Sequence, residues 1–256
     1  MATVLTERQD ALAIVTLNRP ERRNGVTLGL CIGLYDALRE IAASDARVVI
    51  LRGAGNDFCV GADMGGAMDG EGDAARPSGF DDQAPIYEAS LLLHTMPQVT
   101  IAAIDGGCAG AGMGWAAACD LRIASHEARF ATAFLNVGAS GDMALIWSLT
   151  RILGGARARE MLFFPAKLTG EDALRLGFAT RLFARESLHE EVIRLAQQLC
   201  DRDPLALAMM KANVVSAETL PLGDYIAIET ARHLRCANRP DFAARMAESF
   251  ARSKGQ

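Results

Sequence analysis

Two short segments rich in glycine and alanine lie about fifty residues apart and constrain the fold more than any other feature of the chain. The first is Asn56–Asp63 and the second is Ala103–Gly114. Each follows an apolar run typical of a buried strand, so each predicts a strand that leads into a tight turn. Small residues in such turns let a ligand approach bare backbone N–H groups. Two such turns brought together would supply two N–H donors to one oxygen, the arrangement that stabilises an enolate or oxyanion.

The remainder of the chain alternates between strand and helix patterns, which indicates an α/β architecture with repeated ββα units. Strands are predicted over Thr3–Thr6, Ala11–Leu17, Val48–Leu51, Val99–Ile104 and Leu121–Ala124, with a turn at Glu7–Asp10. Helices are predicted over Leu28–Ala43, up to Met96 and over Gly112–Cys119. From residue 156 onward the spacing is helical: Arg157–Phe164, Gly170–Leu176, Leu188–Cys200, Pro204–Ala217, Leu222–Arg235 and Asp241–Arg252.

The segment Gly65–Asp82 differs from its surroundings because it is rich in glycine, aspartate and alanine and nearly lacks large apolar residues. Its composition predicts a mobile loop. The sequence leaves two interpretations open for this loop, a lid over a pocket or an insertion without a role.

Composition excludes several functional classes. A net charge of −5 without a basic stripe disfavours nucleic acid as a partner. No apolar stretch approaches the length of a membrane span, and the first residues carry charges where a signal peptide would be apolar, so we expect a cytoplasmic protein with no membrane partner. The six cysteines form no C-x-x-C pair and no metal-ligand spacing. They are predicted to be free thiols, and no metal is expected.

The two turns resemble the oxyanion-hole segments of the crotonase superfamily, the enoyl-CoA hydratases and isomerases. The resemblance extends to Leu17–Asn24, Ala118–Ala124 and Thr169–Phe178, and it covers nearly the whole chain in order. It implies a crotonase-like spiral of ββα units over residues 1–190 and a helical C-terminal oligomerisation region over 191–256. It also implies an acyl-CoA substrate, no cofactor apart from the coenzyme A of that substrate, and a homotrimer or hexamer.

The resemblance assigns the two oxyanion N–H donors to Ala62 and Ala111. It implies that their neighbours Gly61, Asp63 and Gly110 contribute to substrate binding. Because the donors are main-chain groups, side-chain identity at the two alanines matters mainly for space. A second interpretation of the glycines around Ala111 is close packing of a helix on a strand. Asp63 is expected to fix its turn by bonding backbone N–H groups.

Hydratases of this superfamily use two glutamates, and the corresponding positions here hold Gly114 and Phe134. Neither side chain accepts or donates a proton, so the usual two-glutamate hydration mechanism is not available. Both residues are still expected to line the substrate site. The four histidines match no position that would activate water, and His94 is predicted to be a half-buried packing residue.

One acid remains at a position where other branches of the superfamily carry an aspartate, namely Asp142. Near an apolar acyl pocket its pKa would be raised by desolvation, which suits a base near neutral pH. The alternative interpretation is an N-cap for the helix predicted to follow, because aspartate before an apolar helical run is a strong capping choice. Arg19, Arg22 and Arg23 form a basic cluster in a loop that approaches the CoA nucleotide in relatives, or else a solvated charged loop.

Three functions stay open on the sequence alone. The first is an enoyl-CoA isomerase of fatty acid metabolism, which shifts a double bond and uses Asp142 as its single acid and base. The second is an enoyl-CoA hydratase or lyase in which Asp142 and backbone groups hold the water. The third is a non-catalytic acyl-CoA-binding protein that has lost both glutamates.

Overall fold

The computed structural model describes residues 2–63 and 80–253, with side chains described for 2–63 and 87–247. The predicted loop over Gly65–Asp82 lies outside the described residues except for 80–82, which begin a helix. Nine strands are described, namely β1 Val4–Gln9, β2 Leu12–Leu17, β3 Val48–Gly53, β4 Val99–Ile104, β5 Gly107–Ala109, β6 Leu121–Ser125, β7 Arg129–Ala131, β8 Leu168–Thr169 and β9 Arg181–Phe183.

Six of these strands form one sheet in the order β1-β2-β3-β4-β6-β9. The pair β1 and β2 is antiparallel, and every later pair in this sheet is parallel. Parallel strands are typically covered on both faces and therefore read as continuous apolar runs. All six residues of β2 are buried, as are those of β4, which explains why both gave a strong strand signal in the sequence.

Successive residues of the central strands point to opposite faces of the sheet and enter two separate cores. Val15 and Leu51 belong to the larger core, which also holds the apolar side of the helix Leu28–Ala42. Ile14 and Ile50 enter the smaller core on the other face. The sheet is therefore a middle layer with an apolar core on each face.

The remaining three strands form a small second sheet in the order β5-β7-β8. Strand β5 belongs to the second glycine-rich segment and pairs in parallel with β7. Ten helices are described: α1 Leu28–Ala42, α2 Phe80–Thr95, α3 Ala111–Ala118, α4 Leu145–Ile152, α5 Gly154–Phe163, α6 Gly170–Leu176, α7 Arg185–Cys200, α8 Pro204–Ala217, α9 Leu222–Ala237 and α10 Phe242–Ser253.

The chain divides into two compact units, residues 1–201 and 202–256. The predicted boundary between 190 and 191 falls inside α7, whose buried residues pack in the smaller core of the first unit. The second unit contains α8 to α10. Within it, the Arg232 guanidinium on α9 donates to the Ala212 carbonyl, the Asn213 amide oxygen and the Ser216 hydroxyl on α8.

The predicted turn at Glu7–Asp10 is wrong, because β1 continues to Gln9 and the connection is the two residues Asp10 and Ala11. Asp10 takes a left-handed conformation with φ of 52°. Strand β1 lies at the edge of the sheet with mostly exposed side chains, so charged residues there do not interrupt the strand. Among the described residues, no helix combines the length and apolarity needed to cross a membrane.

Candidate active site

The two glycine-rich turns are bonded to each other through their backbones. Cys59 in the first turn forms a parallel bridge with Cys108 in the second. The Cys59 N–H donates to the Gly107 carbonyl at 3.0 Å, and the Ala109 N–H donates to the Cys59 carbonyl at 2.9 Å. The structure therefore brings together the two segments that the sequence singled out.

Each turn ends in a glycine with a left-handed backbone, and an alanine follows directly. Gly61 has φ of 88° and Gly110 has φ of 51°, conformations in which other residues are strained. The glycines lie against each other, since a Cβ built on Gly110 would be 3.7 Å from the Gly61 Cα. Ala62 and Ala111 are therefore the first residues after the contact between the two turns.

The backbone N–H groups of the two alanines are not used by the bonds that hold the turns. Val26 donates to the Gly61 carbonyl at 2.8 Å, and the Asp63 N–H donates to the Val26 carbonyl at 3.1 Å. These two bonds form the bridge between Val26 and Ala62, and neither of them uses the Ala62 N–H. Ala111 is the first residue of α3, and the first N–H groups of a helix have no acceptor within it.

Helix α3 packs closely on the first turn because it contains glycine. A Cβ on Gly112 would lie 2.4 Å from the Cys59 carbonyl oxygen. Close helix packing is therefore a correct interpretation of this glycine. The ring of Phe134 lies beside the second turn, 3.9 Å from a Cβ built on Gly110.

Gly114 lies two residues further along α3 than Gly112 and contacts the segment that carries Asp142. A Cβ on Gly114 would be 2.6 Å from the Met143 Cβ and 2.9 Å from the Met143 carbonyl oxygen. Both distances are shorter than real Cβ atoms tolerate, so position 114 has no room for a larger side chain unless Met143 moves. The space beyond Gly114 is therefore occupied by the Cβ and the carbonyl oxygen of Met143.

The segment around Asp142 has an unusual backbone. Gly141, Met143 and Ala144 all have positive φ, of 118°, 47° and 58°. Two of them carry side chains, and such strain is typical of positions that the surrounding structure holds for function. Helix α4 begins at Leu145 without a side-chain cap, and the Leu145 N–H donates to the backbone carbonyl of Asp142. The interpretation of Asp142 as a side-chain N-cap is wrong.

The Asp142 carboxyl lies at a cavity of about 750 Å³. Its Oδ1 atom is buried and has no hydrogen-bond partner in the part of the chain that the structure describes. Burial raises the pKa of this carboxyl from 3.8 to about 6. Among the described residues that line the cavity, no other carries a carboxyl group; they are Tyr87, Ser90, Leu91, His94, Ala118, Gly141, Asp142, Met143, Ala144, Leu145, Ile146, Trp147 and Ser148.

The described lining of this cavity includes neither Ala62 nor Ala111. Two observations nevertheless connect the cavity to the turns. Met143, which lines the cavity, contacts Gly114 on the helix that starts at Ala111. The negative charge of Asp142 also contributes to a raised pKa of the Cys59 thiol, which burial mainly brings to about 12. Helix α3 thus contacts the first turn at Gly112 and the segment of Asp142 at Gly114.

His94 behaves as the sequence predicts, as a half-buried packing residue. Its ring meets the Trp147 ring edge-on, with centroids 5.0 Å apart. The Arg151 guanidinium covers Trp147 at 3.7 Å from the ring centroid. The sequence does not single out Ser90 as a residue of this cavity. The spacing of Tyr87, Ser90 and His94 is nevertheless helical and places the three side chains on one face of α2.

Arg19 and Arg23 of the arginine cluster are each held in an ion pair. Arg19 binds Asp63 at 2.8 Å, and both side chains are largely buried. Arg23 binds Asp57 through two nitrogens at 2.8 and 2.9 Å, and this contact raises the pKa of Arg23 and lowers that of Asp57. Asp57 also accepts the Gly107 N–H at 2.6 Å, so Arg23 braces the contact between the turns.

The sequence predicts a structural role for Asp63 in fixing its turn, but it does not predict the ion pair with Arg19, for which a solvated or CoA-binding role is expected. Arg23 remains 63% exposed and keeps a surface for an anion. Arg22 lies between them in a short 3-10 turn. Within the part of the chain that the structure describes, no three His, Cys, Asp or Glu side chains come together as metal ligands.

Comparison with known proteins finds a matching family and several similar proteins. Residues 7–251 match the family described as enoyl-CoA hydratase/isomerase. The chain is 29% identical to the mitochondrial delta(3,5)-delta(2,4)-dienoyl-CoA isomerase of Mus musculus, over 82% of this chain and 68% of that protein. It is also 29% identical to the 1,2-epoxyphenylacetyl-CoA isomerase of Escherichia coli, over 90% and 88%. An enoyl-CoA hydratase from Polaromonas superposes with a TM-score of 0.86 at 27% identity, covering 97% of each chain.

Proposed function

Because this chain belongs to the enoyl-CoA hydratase/isomerase family, we propose that it shifts a carbon–carbon double bond within the acyl group of a CoA thioester. Asp142 is the single acid and base of this reaction. The backbone N–H groups of Ala62 and Ala111 are the donors to the thioester oxygen. The observation that carries the proposal is the Asp142 carboxyl, unpartnered at Oδ1 and with a raised pKa, at an otherwise mostly apolar cavity.

The reaction needs one proton carrier and one anion site. The Asp142 carboxylate removes a proton from the second carbon of a 3-enoyl thioester, and the electron pair moves toward the thioester oxygen. The two N–H groups stabilise the resulting dienolate, and loss of one such donor typically lowers kcat by about 10²–10³-fold. The protonated Asp142 then returns the proton to the fourth carbon. The product is the 2-enoyl thioester, and the carboxylate is regenerated.

A hydratase would need a second group to activate water. Gly114 and Phe134 supply no acid, and Met143 fills the space where a side chain at position 114 would go. Isomerisation, by contrast, requires only one acid/base and an anion site, and this chain has candidates for both. It is also consistent with the names of the mouse and Escherichia coli relatives.

The exposed guanidinium of Arg23 is the first candidate for contact with a CoA phosphate, with Arg22 beside it. Arg19 contributes indirectly, because its ion pair with Asp63 holds the residue that follows Ala62.

The proposal is tested by an absorbance assay of the purified protein with 3-enoyl-CoA esters of several chain lengths and, in parallel, with crotonyl-CoA. Conversion of a 3-enoyl ester to its 2-enoyl isomer without hydration of crotonyl-CoA is the expected result. Hydration without isomerisation would favour the hydratase instead. Binding of every ester without turnover of any would favour the binding protein.

The pH dependence of this reaction follows from the pKa of Asp142. The ionised carboxylate is the base, so kcat/KM is expected to rise with pH through an apparent pKa of about 6 and then level off. Below that value the rate falls tenfold per pH unit. The measurement is kcat/KM between about pH 4.5 and 8, with the affinity for saturated hexanoyl-CoA as a control for binding. A rate that falls as pH rises through this range would contradict the assignment.

A further inference from the structure

One face of α2 brings a row of side chains with hydrogen-bonding groups to the cavity that holds Asp142. Tyr87, Ser90 and His94 are spaced three and four residues apart, and all three line the cavity. Residues at this spacing share one face of a helix. The acyl pocket of the proposed function is therefore not uniformly apolar.

Ser90 is the most unusual member of this row. Its residue is only 3% exposed, and its hydroxyl oxygen is buried with no hydrogen-bond partner among the described residues. Buried hydroxyl groups are nearly always hydrogen-bonded, because a lost bond to water is not replaced in an apolar environment. Its neighbours in the cavity include Leu91, Leu145 and Ile146, which offer no side-chain acceptor or donor.

We propose that Ser90 is a specificity-determining residue that hydrogen-bonds an oxygen atom on the acyl group of the substrate. The substrate class is an unsaturated acyl-CoA that carries a hydroxyl or keto oxygen on its acyl portion. This inference rests on the proposed function, since it assigns the acyl group to the cavity beside Asp142.

The Ser90 hydroxyl would discriminate between acyl groups that carry an oxygen atom and those that do not. An oxygen-bearing acyl group gives the Ser90 hydroxyl a partner that the described part of the chain does not provide. A purely hydrocarbon acyl group supplies no such bond and leaves the hydroxyl unpaired, as it is in the free protein. Sites built to bond a ligand oxygen reject the analogue that lacks it, because their own buried polar group is then left without a partner.

The experiment is a comparison of binding, which needs no turnover. Hexanoyl-CoA and its monohydroxy derivatives, with the hydroxyl on the fourth, fifth or sixth carbon, are titrated calorimetrically into the wild-type protein and into Ser90→Ala. The wild type is expected to bind the best hydroxy ester about tenfold more tightly than hexanoyl-CoA, the size of one net hydrogen bond. Ser90→Ala is expected to lose this preference and to bind hexanoyl-CoA at least as tightly as the wild type.

Ser148→Ala is the matched control, because Ser148 is also buried, lines the same cavity and belongs to a different helix. It is expected to keep the preference for the hydroxy ester. Thermal unfolding checks that both variants fold, and Ser90→Ala is expected to be no less stable than the wild type because it removes an unpaired hydroxyl.

The outcomes separate this inference from the function on which it rests. Equal binding of all four esters by the wild type, or loss of the preference in Ser148→Ala alone, overturns the role of Ser90. Turnover of 3-hexenoyl-CoA in the same preparation would leave the isomerase proposal standing in that case. If no CoA ester binds, the proposed function itself fails and this inference fails with it.

Discussion

Replacing Asp142 with asparagine is expected to lower kcat for isomerisation of a 3-enoyl-CoA by about 10²–10⁴-fold, the range that a positioned acid or base contributes. Asparagine has nearly the same shape and cannot carry the transferred proton. The affinity for saturated hexanoyl-CoA is expected to stay within about threefold of the wild type, since the loss falls on the transition state rather than on binding. Steady-state kinetics and calorimetric titration measure the two quantities on one preparation.

The control for this variant is Asp45→Asn, which removes one carboxylate from a side chain that is 95% exposed. It changes the net charge equally and is expected to keep full activity. An Asp142→Asn protein with wild-type kcat would eliminate Asp142 as the base. A variant that loses CoA-ester affinity and activity together would indicate that Asp142 binds substrate rather than transferring a proton.

The same substitution is expected to act on stability in the opposite direction. The folded pKa of Asp142 lies above its ordinary value, so the buried carboxylate disfavours the folded state once it ionises. This penalty is absent below about pH 4, grows as pH rises to about 6 and is full above that value. Because the carboxyl is partly exposed, solvent screening reduces the penalty, and Asp142→Asn is expected to gain about 1–2 kcal/mol at neutral pH. Chemical denaturation at pH 4 and pH 7.5 measures the difference.

A variant that is more stable and less active marks a residue retained for function rather than for folding. This opposition distinguishes Asp142 from the other acids of the site. Asp57 and Asp63 are bound by arginines, so their removal would leave a buried or partly buried cation without its partner. Loss of activity in those variants would accompany loss of stability.

The sequence predicts the sheet and most helices because burial on both faces leaves a signal in the residues themselves. Strand β2 is apolar at nearly every position, and α1 has its buried residues at helical spacing. The edge strand β1 gives no such signal beyond Thr6, since its exposed side chains are free to be charged. Its end at Gln9 is set by pairing with Leu12, which is a contact between strands rather than a local preference.

The site is predicted from the sequence only where a small residue or a missing acid is itself the signal. The two turns are of this kind, whereas the absence of glutamate at Gly114 is a signal only through the resemblance to the crotonase superfamily. The ion pairs of Arg19 and Arg23 join residues more than thirty positions apart, so no local pattern reveals them. The position of Ser90 in the cavity and the positive φ of Met143 likewise arise from tertiary packing.

Introducing glutamate at Gly114 is expected to destabilise the protein rather than to create a hydratase. The new Cβ would lie 2.6 Å from the Met143 Cβ and 2.9 Å from the Met143 carbonyl oxygen, so the backbone of that segment must move. Overpacking of this kind typically costs about 1–3 kcal/mol, and the free energy of unfolding is expected to fall by that amount. Displacement of Met143 also moves Asp142, and a shift of about 1 Å in a reacting group is enough to lower activity about 10²-fold.

Gly114→Ala separates the steric effect from the introduced acid, because it adds only the Cβ and is expected to cause most of the same loss. Gly29→Ala is the matched control within a helix, since a Cβ there meets no atom within 4 Å. It is expected to be neutral or to stabilise by up to about 1 kcal/mol. Met143→Gly in the Gly114→Ala background removes the closer of the two contacts and relieves a positive φ, so it is expected to restore part of the stability. Crotonyl-CoA hydration by a stable Gly114→Glu protein would contradict this account, because it would mean that position 114 accepts an acid without disturbing Asp142.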